Sequence, residues 1–193
     1  MELGVDSRAR GLIFDIDGTL ADTMPTHFRS WQEVARRYGF AYPEDWFYKN
    51  AGMSTERIVL FLNERFGYHL DPAEIARVKA SIYLEIAENI GPIEPVARIA
   101  RENFGKLPMA LGTGECRTIA ARNIRSAGLA PYFSIMVCAE DVPNPKPDPA
   151  TFLKCATLMG VEPQYCQVFE DGDPGLQAAR SAGMIATDVR VFI

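Results

Sequence analysis

No apolar run in this chain approaches the ~18 residues a membrane-spanning helix needs, so no membrane partner is expected. The N-terminal Met1-Glu2-Leu3-Gly4-Val5-Asp6 has no apolar core of the kind that marks a secretory leader. Cys116, Cys138, Cys155 and Cys166 are widely spaced and form no Cys-x-x-Cys pair. That spacing argues against a zinc set or a disulfide framework and for small buried hydrophobes in a reducing, cytoplasmic setting. Basic charge is not in excess: the formal net charge is -5, which speaks against a nucleic-acid partner but not against a small anion met by one local lysine. Internal repeats and low-complexity segments are also missing. What remains is an ordinary globular composition, 48% hydrophobic and 23% charged over 193 residues, enough for one good core and a modest second unit.

Against that background one stretch stands out, Phe14-Asp15-Ile16-Asp17-Gly18-Thr19-Leu20. The apolar Gly11-Leu12-Ile13-Phe14 before it reads as a short buried strand. Asp15 and Asp17, two apart, leave that strand on one side, and like charges there raise each other's pKa at a cost in stability. A cation, or a phosphate held together with a cation, removes the conflict. Asp15 then suits a nucleophile and Asp17 a proton donor to a leaving oxygen. An Asp-x-Asp pair alone is also an ordinary acidic turn; the whole run is far more restrictive.

Downstream the pattern is helical. Phe28, Trp31, Val34, Ala35 and Tyr38 share one face before Gly39. Ile58, Val59, Phe61, Leu62 and Phe66 share another before Gly67, and a third helix opens at Asp71-Pro72 and carries Ile75, Val78, Ile82 and Ile86. No strand pattern interrupts residues 26–90. Tyr42, Trp46, Phe47 and Tyr48 read as packing within this block rather than as a sugar platform. Beyond the Asn89–Pro95 linker, strands at 108–112, 133–138, 166–170 and 184–190 alternate with helices ending at Gly105, Gly128, Gly160 and Gly183. Such alternation implies a parallel sheet with helices on both faces.

Ligands of such sheets bind beyond the carboxyl ends of the strands, and each strand here ends in reactive groups. Gly112-Thr113-Gly114 offers a hydroxyl and close backbone approach for a phosphate oxygen, although it is also a common turn before a helix. Asn144-Pro145-Lys146-Pro147-Asp148-Pro149 sets one lysine among prolines that stiffen its backbone, which suits an ammonium aimed at Asp15 and a phosphate; a solvated surface turn is the alternative. Glu170-Asp171 at the end of the fourth strand offers the hard oxygen ligands that Mg²⁺ takes. Asp173, before Pro174, reads as a helix cap.

These stations in this order resemble the haloacid dehalogenase superfamily over nearly the whole chain. The resemblance implies an α/β fold, a Rossmann-like three-layer core of parallel sheet formed by residues 1–21 and 94–193, and an all-helical cap inserted at 22–93. It further implies that Asp15 is phosphorylated and then hydrolysed, that Asp17 is the general acid/base, and that Thr113 and Lys146 hold the phosphate. Gly18, Thr19 and Gly114 are expected to contact substrate. Asp15, the main-chain carbonyl of Asp17, Glu170 and Asp171 are expected to hold Mg²⁺. Members acting as dehalogenases lack the second aspartate, so Asp17 points to phosphoryl transfer.

Asp22-Thr23-Met24-Pro25-Thr26-His27 is similar to the branch containing β-phosphoglucomutases and sugar-phosphate phosphatases, in which a histidine here contacts the acid/base aspartate. A solvated helix-start histidine is the plainer reading of His27. Gly112-Thr113-Gly114, Val168-Phe169-Glu170-Asp171, Thr151-Phe152-Leu153-Lys154-Cys155-Ala156 and Ala182-Gly183-Met184 resemble the fructose-1-phosphate phosphatase type. The mutase has an arginine soon after a Gly-x-Ser turn that clamps a second phosphate. Here Gly52-Met53-Ser54 leads into Thr55, with Arg57 the nearest arginine. Thr55 and Lys79 are the expected cap contacts to substrate, with an exposed helical lysine the alternative for Lys79. The implied activity is a Mg²⁺-dependent phosphatase on small phosphorylated sugars of the fructose-1-phosphate or 6-phosphogluconate type, acting as a monomer. A phosphomutase of the same fold is the first rival, and a binding protein on this scaffold the second.

Overall fold

The computed structural model describes residues 2–193. Five strands form one parallel sheet: β1 (Gly11–Phe14), β2 (Met109–Gly112), β3 (Ile135–Val137), β4 (Cys166–Glu170) and β5 (Ile185–Asp188), ordered β3-β2-β1-β4-β5. The apolar β1 is buried throughout because it lies at the centre, with Phe14 level with Leu111 on one side and Phe169 on the other. The rings of Phe14 and Phe169 stack 4.9 Å apart. Connections from β1 step through β2 to β3 in one direction, while β4 and β5 lie in the other. The strand order therefore reverses between β1 and β4, which opens a crevice at their carboxyl ends.

Alternation along β1 divides the core into two layers. Leu12 and Phe14 pack with helices α5 (Glu94–Asn103) and α6 (Arg117–Ser126) through Val96, Ile99, Ile119 and Ile124. Ile13 faces α7 (Ala150–Met159) and α8 (Asp173–Ser181), where Phe152, Cys155, Ala178 and Ala179 close the other side. The α/β three-layer sheet expected from the alternation is what the chain forms. The last strand is shorter than the predicted 184–190, because Asp188 accepts the Arg190 N–H and turns the chain away.

Between β1 and α5 lies a helical block: α1 (Met24–Tyr38), α2 (Glu44–Lys49), α3 (Thr55–Phe66) and α4 (Pro72–Ile86). It has its own apolar cluster, in which Trp31, Val34, Phe47, Val59, Leu62 and Ile75 meet. Asp71 caps α4 by accepting from the N–H groups of Ala73 and Glu74. Gly39, at φ +70°, ends α1 in the left-handed region that favours glycine. Helix α2 escaped the sequence reading: six residues are too few to display a helical period. Its Phe47 packs on Phe28 and Tyr42, so the aromatic cluster serves the interior of the block.

The two chain crossings between block and sheet run side by side. Asp22 N–H donates to Gly91 O at 3.0 Å, and Ile93 N–H to Leu20 O at 2.9 Å. Helix α4 faces both ways, since its Tyr83 joins the sheet-side cluster while Ile75 and Ile82 stay in the block. No helix among the described residues is long and apolar enough to cross a membrane. The four cysteines are free, and Cys138, Cys155 and Cys166 are buried.

Candidate active site

Asp15 follows β1 directly, and its N–H donates to Phe169 O at 3.0 Å, so the backbone of two adjacent strands sets its position. Its carboxylate meets Lys146, which has no exposed surface. Lys146 Nζ donates to Asp15 Oδ1 and to Glu170 Oε2, each at 2.6 Å. The proline-flanked loop has thus carried Lys146 into the crevice, and the solvated-turn alternative is excluded. Burial alone would lower the ammonium's pKa, but Asp15 and Glu170 outweigh that and hold it above its ordinary range.

One ammonium does not balance the carboxylates around it. Asp15, Glu170 and Asp171 each present an oxygen within 4.8 Å of the others. Burial, and then the charge of Asp15, pushes Glu170 up to about 8 and Asp171 up to about 7; burial also raises Asp15. A surplus of crowded, hard oxygen donors is what a divalent cation such as Mg²⁺ accepts, so the residues present fit that ion. Glu170 is already heavily engaged: Oε2 accepts from Lys146 and Oε1 from the Gly172 N–H at 3.0 Å. Gly175, in the first turn of α8, leaves the space this carboxylate fills, since a Cβ there would collide with it.

Gly18 and Thr19 are not on the wall of the pocket above Asp15. Thr19 is fully buried and its Oγ1 donates to Asp171 Oδ1 at 2.8 Å. Gly18, at φ +85°, brings its Cα against the Asp171 carboxylate, where a side chain would collide. Both residues position Asp171. Asp173 is not the helix cap: Gly172 occupies that position, and Asp173 Oδ1 accepts from Arg190 at 2.8 Å.

Asp17 lies on the opposite side of Asp15 and is gripped at one oxygen. Its Oδ1 accepts from Thr23 Oγ1 at 2.8 Å and Asn123 Nδ2 at 2.7 Å. His27 Nε2 lies 3.1 Å away, at ion-pair distance but out of line for a hydrogen bond. Burial would raise this carboxyl; His27, Thr23 and Asn123 outweigh burial and hold it at about 2. His27 is buried, which excludes the solvated reading, and its ring stacks on Tyr83 at 4.2 Å. Tyr83 in turn donates from its hydroxyl to Asn123 Oδ1 at 2.9 Å.

These two aspartates and His27 open onto a narrow pocket of about 50 Å³ between the sheet and the helical block. Thr113, Gly114, Thr55 and Lys79 line it, as does Glu115. Thr113 Oγ1 accepts the Glu115 N–H at 3.0 Å. Lys79 is buried, not exposed, and donates to Glu115 Oε2 at 2.8 Å. A loop of the helical block, Ala51-Gly52-Met53, covers the acidic cluster. Gly114 has no room for a side chain because the Gly52 carbonyl abuts its Cα, and Gly172 meets the Ala51 carbonyl in the same way.

The sequence reading did not single out Asn123, Tyr83 or Glu115. The available signals were a polar residue within the apolar face Ile119, Ala120, Ile124 of α6, and a carboxylate directly after Gly112-Thr113-Gly114.

A family model described as haloacid dehalogenase-like hydrolase matches residues 12–189. Over 186 residues the chain is 43% identical to fructose-1-phosphate phosphatase YqaB of Escherichia coli strain K12, covering 96% of this chain and 98% of that one. It is 32% identical to a phosphorylated carbohydrates phosphatase of Thermotoga maritima, covering 90% of this chain and 81% of the relative. Among solved structures, a β-phosphoglucomutase of Clostridium difficile superposes with a TM-score of 0.76 at 26% identity, over 93% of this chain and 84% of the other.

Proposed function

The chain belongs to the haloacid dehalogenase-like hydrolases, and from that membership and the geometry below the pocket we propose that it is a Mg²⁺-dependent phosphatase of small phosphorylated sugars. The observation that carries this reading is Lys146 Nζ held 2.6 Å from both Asp15 and Glu170, inside a carboxylate cluster too negative for one lysine. The substrate named in the Escherichia coli relative, fructose 1-phosphate, heads the candidates, with 6-phosphogluconate second.

In this reading Asp15, Asp171, Glu170 and the Asp17 carbonyl hold Mg²⁺, which when bound supplies positive charge to the phosphate oxygens. Lys146 and the Thr113 hydroxyl orient the phosphate, so that Asp15 meets phosphorus in line with the leaving oxygen. The Asp15–phosphorus bond forms as the ester bond breaks, and the leaving oxygen takes a proton from Asp17. Asp17 then accepts a proton from water, whose oxygen attacks phosphorus and frees Asp15 and inorganic phosphate. The grip on Asp17 keeps it ionised, which suits the second step. The first needs it protonated, and the negative phosphoryl group arriving beside it favours the proton. Residues 22–93 serve as a cap: with Gly52 seated on Gly114, substrate entry requires this block to lift about the paired crossings at Ala21 and Pro92. The free cysteines suit a reducing cytoplasm.

The test is phosphate release from fructose 1-phosphate, 6-phosphogluconate and β-glucose 1-phosphate, each with Mg²⁺ and with a chelator. Metal-dependent release from one or two of them is expected. No release, together with conversion of β-glucose 1-phosphate to the 6-phosphate once a bisphosphate primer is added, would replace the phosphatase with a mutase.

A further inference from the structure

The hydrolytic steps leave one buried ion pair in the pocket unused. Lys79 on α4 and Glu115 after β2 meet at 2.8 Å, joining the helical block to the sheet. Glu115 is fixed along its length. Its N–H donates to Thr113 Oγ1 at 3.0 Å, and its Oε1 accepts the Cys116 N–H at 2.9 Å. Its Oε2 takes Lys79 and lies 3.8 Å from His27 Nδ1. Burial alone would raise this carboxyl, but Lys79 and then His27 outweigh it and keep Glu115 below its ordinary range.

The position of this pair matters for what a substrate carries beyond its phosphate. Glu115, Thr55 and Gly114 line the pocket on one side and a wider groove on the other, so they form the wall between the two. The groove adds Glu56 and Glu140 against Arg77, which leaves it acidic. Lys79 is the only lysine or arginine on the pocket wall among the described residues, and its charge is already spent on Glu115. An uncharged leaving group rich in hydroxyls finds there a fixed donor and a fixed acceptor. A leaving group bearing a second phosphate finds no free cation on the wall; to be neutralised it would have to take Lys79 from Glu115, and like charges left together in a dry site discriminate strongly.

Resting on the sugar-phosphatase reading, we propose that the Glu115–Lys79 pair is the specificity determinant of this pocket, favouring esters of uncharged polyols and turning away bisphosphates. The pair would also disfavour a mutase, which must hold a sugar bisphosphate in the same space.

The experiment compares kcat/KM for fructose 1,6-bisphosphate and fructose 1-phosphate, expressed as a ratio, in the intact enzyme and its variants. Wild type is expected to favour the monophosphate, with 6-phosphogluconate between the two. Glu115→Gln keeps the size and removes the charge, and it should raise the ratio by roughly tenfold or more. Glu115→Asp keeps the charge and should leave the ratio within about threefold of wild type. An unchanged ratio in a Glu115→Gln enzyme that still hydrolyses the monophosphate overturns the proposal. Should that variant be inactive on both esters, Lys79→Met decides. It leaves the Glu115 charge unpaired and should lower the ratio, whereas no change overturns the proposal. A wild-type enzyme that releases phosphate from no sugar ester overturns the functional reading itself, a result distinct from an unchanged ratio.

Discussion

On the sheet side of the pocket, Asp15, Thr113 and Glu170 hang from the ends of β1, β2 and β4, and Lys146 enters on a loop stiffened by prolines. On the helical side, His27, Thr55 and Lys79 project from α1, α3 and α4, whose places are set by packing around Trp31, Leu62 and Ile75. The sheet side concentrates charge that only a cation and a phosphate can relieve. The helical side has its lysine, Lys79, already neutralised across the pocket by Glu115, which follows β2. On the proposed reading this difference divides the roles: chemistry where charge is surplus and rigidly aimed, selection where charge is spent and the partner helices can move.

Two substitutions on the sheet side break that comparison to different depths. Lys146→Met removes the one cation of the buried cluster and strands Asp15 and Glu170. Leaving buried charge uncompensated costs about 3–5 kcal/mol, so urea unfolding should show a loss of that order unless Mg²⁺ is supplied. Phosphate release should fall by more than about 100-fold. A variant as stable and as active as wild type would mean that Lys146 merely fills space.

Asn123→Ala has a smaller effect and separates positioning from binding. It deletes one of the hydrogen bonds to the Asp17 carboxylate. Because that bond favours the ionised form, its loss raises the Asp17 pKa from about 2. The acid limb of the kcat–pH profile should therefore move to higher pH. At neutral pH, kcat should fall by roughly 10- to 100-fold, with KM moving much less. A fall in stability with the pH profile unmoved would reduce Asn123 to a structural partner of Tyr83.

The same contrast explains what was legible in the sequence. Asp15, Asp17, Lys146 and the Glu170-Asp171 pair could be read because a short buried strand announces itself and the residue at its end needs no distant partner to be placed. Gly18 and Thr19 were legible as part of the motif but not in their role. Their support of Asp171 depends on β1 and β4 being neighbours, which is a fact of topology. Asn123 looked like one polar residue on an amphipathic helix, and Lys79 read as a substrate contact or an exposed lysine, with nothing to mark Glu115 as its partner. Their burial follows from how α4 and α6 meet across 40 residues of chain, as in the Tyr83–Asn123 bond. Helix α2 was missed for a local reason, its six residues being shorter than two helical turns.

The measurement that bears most directly on this division of labour is phosphate release by Asp15→Asn, with Mg²⁺ and fructose 1-phosphate, checked for an intact fold by circular dichroism. The substitution keeps the shape of the side chain and removes the carboxylate proposed as the nucleophile. Release should fall by more than roughly 10³-fold in a preparation that is folded like wild type. Turnover within about tenfold of wild type in such a preparation would contradict the assignment of Asp15 as nucleophile, and with it the placement of the chemistry on the sheet side.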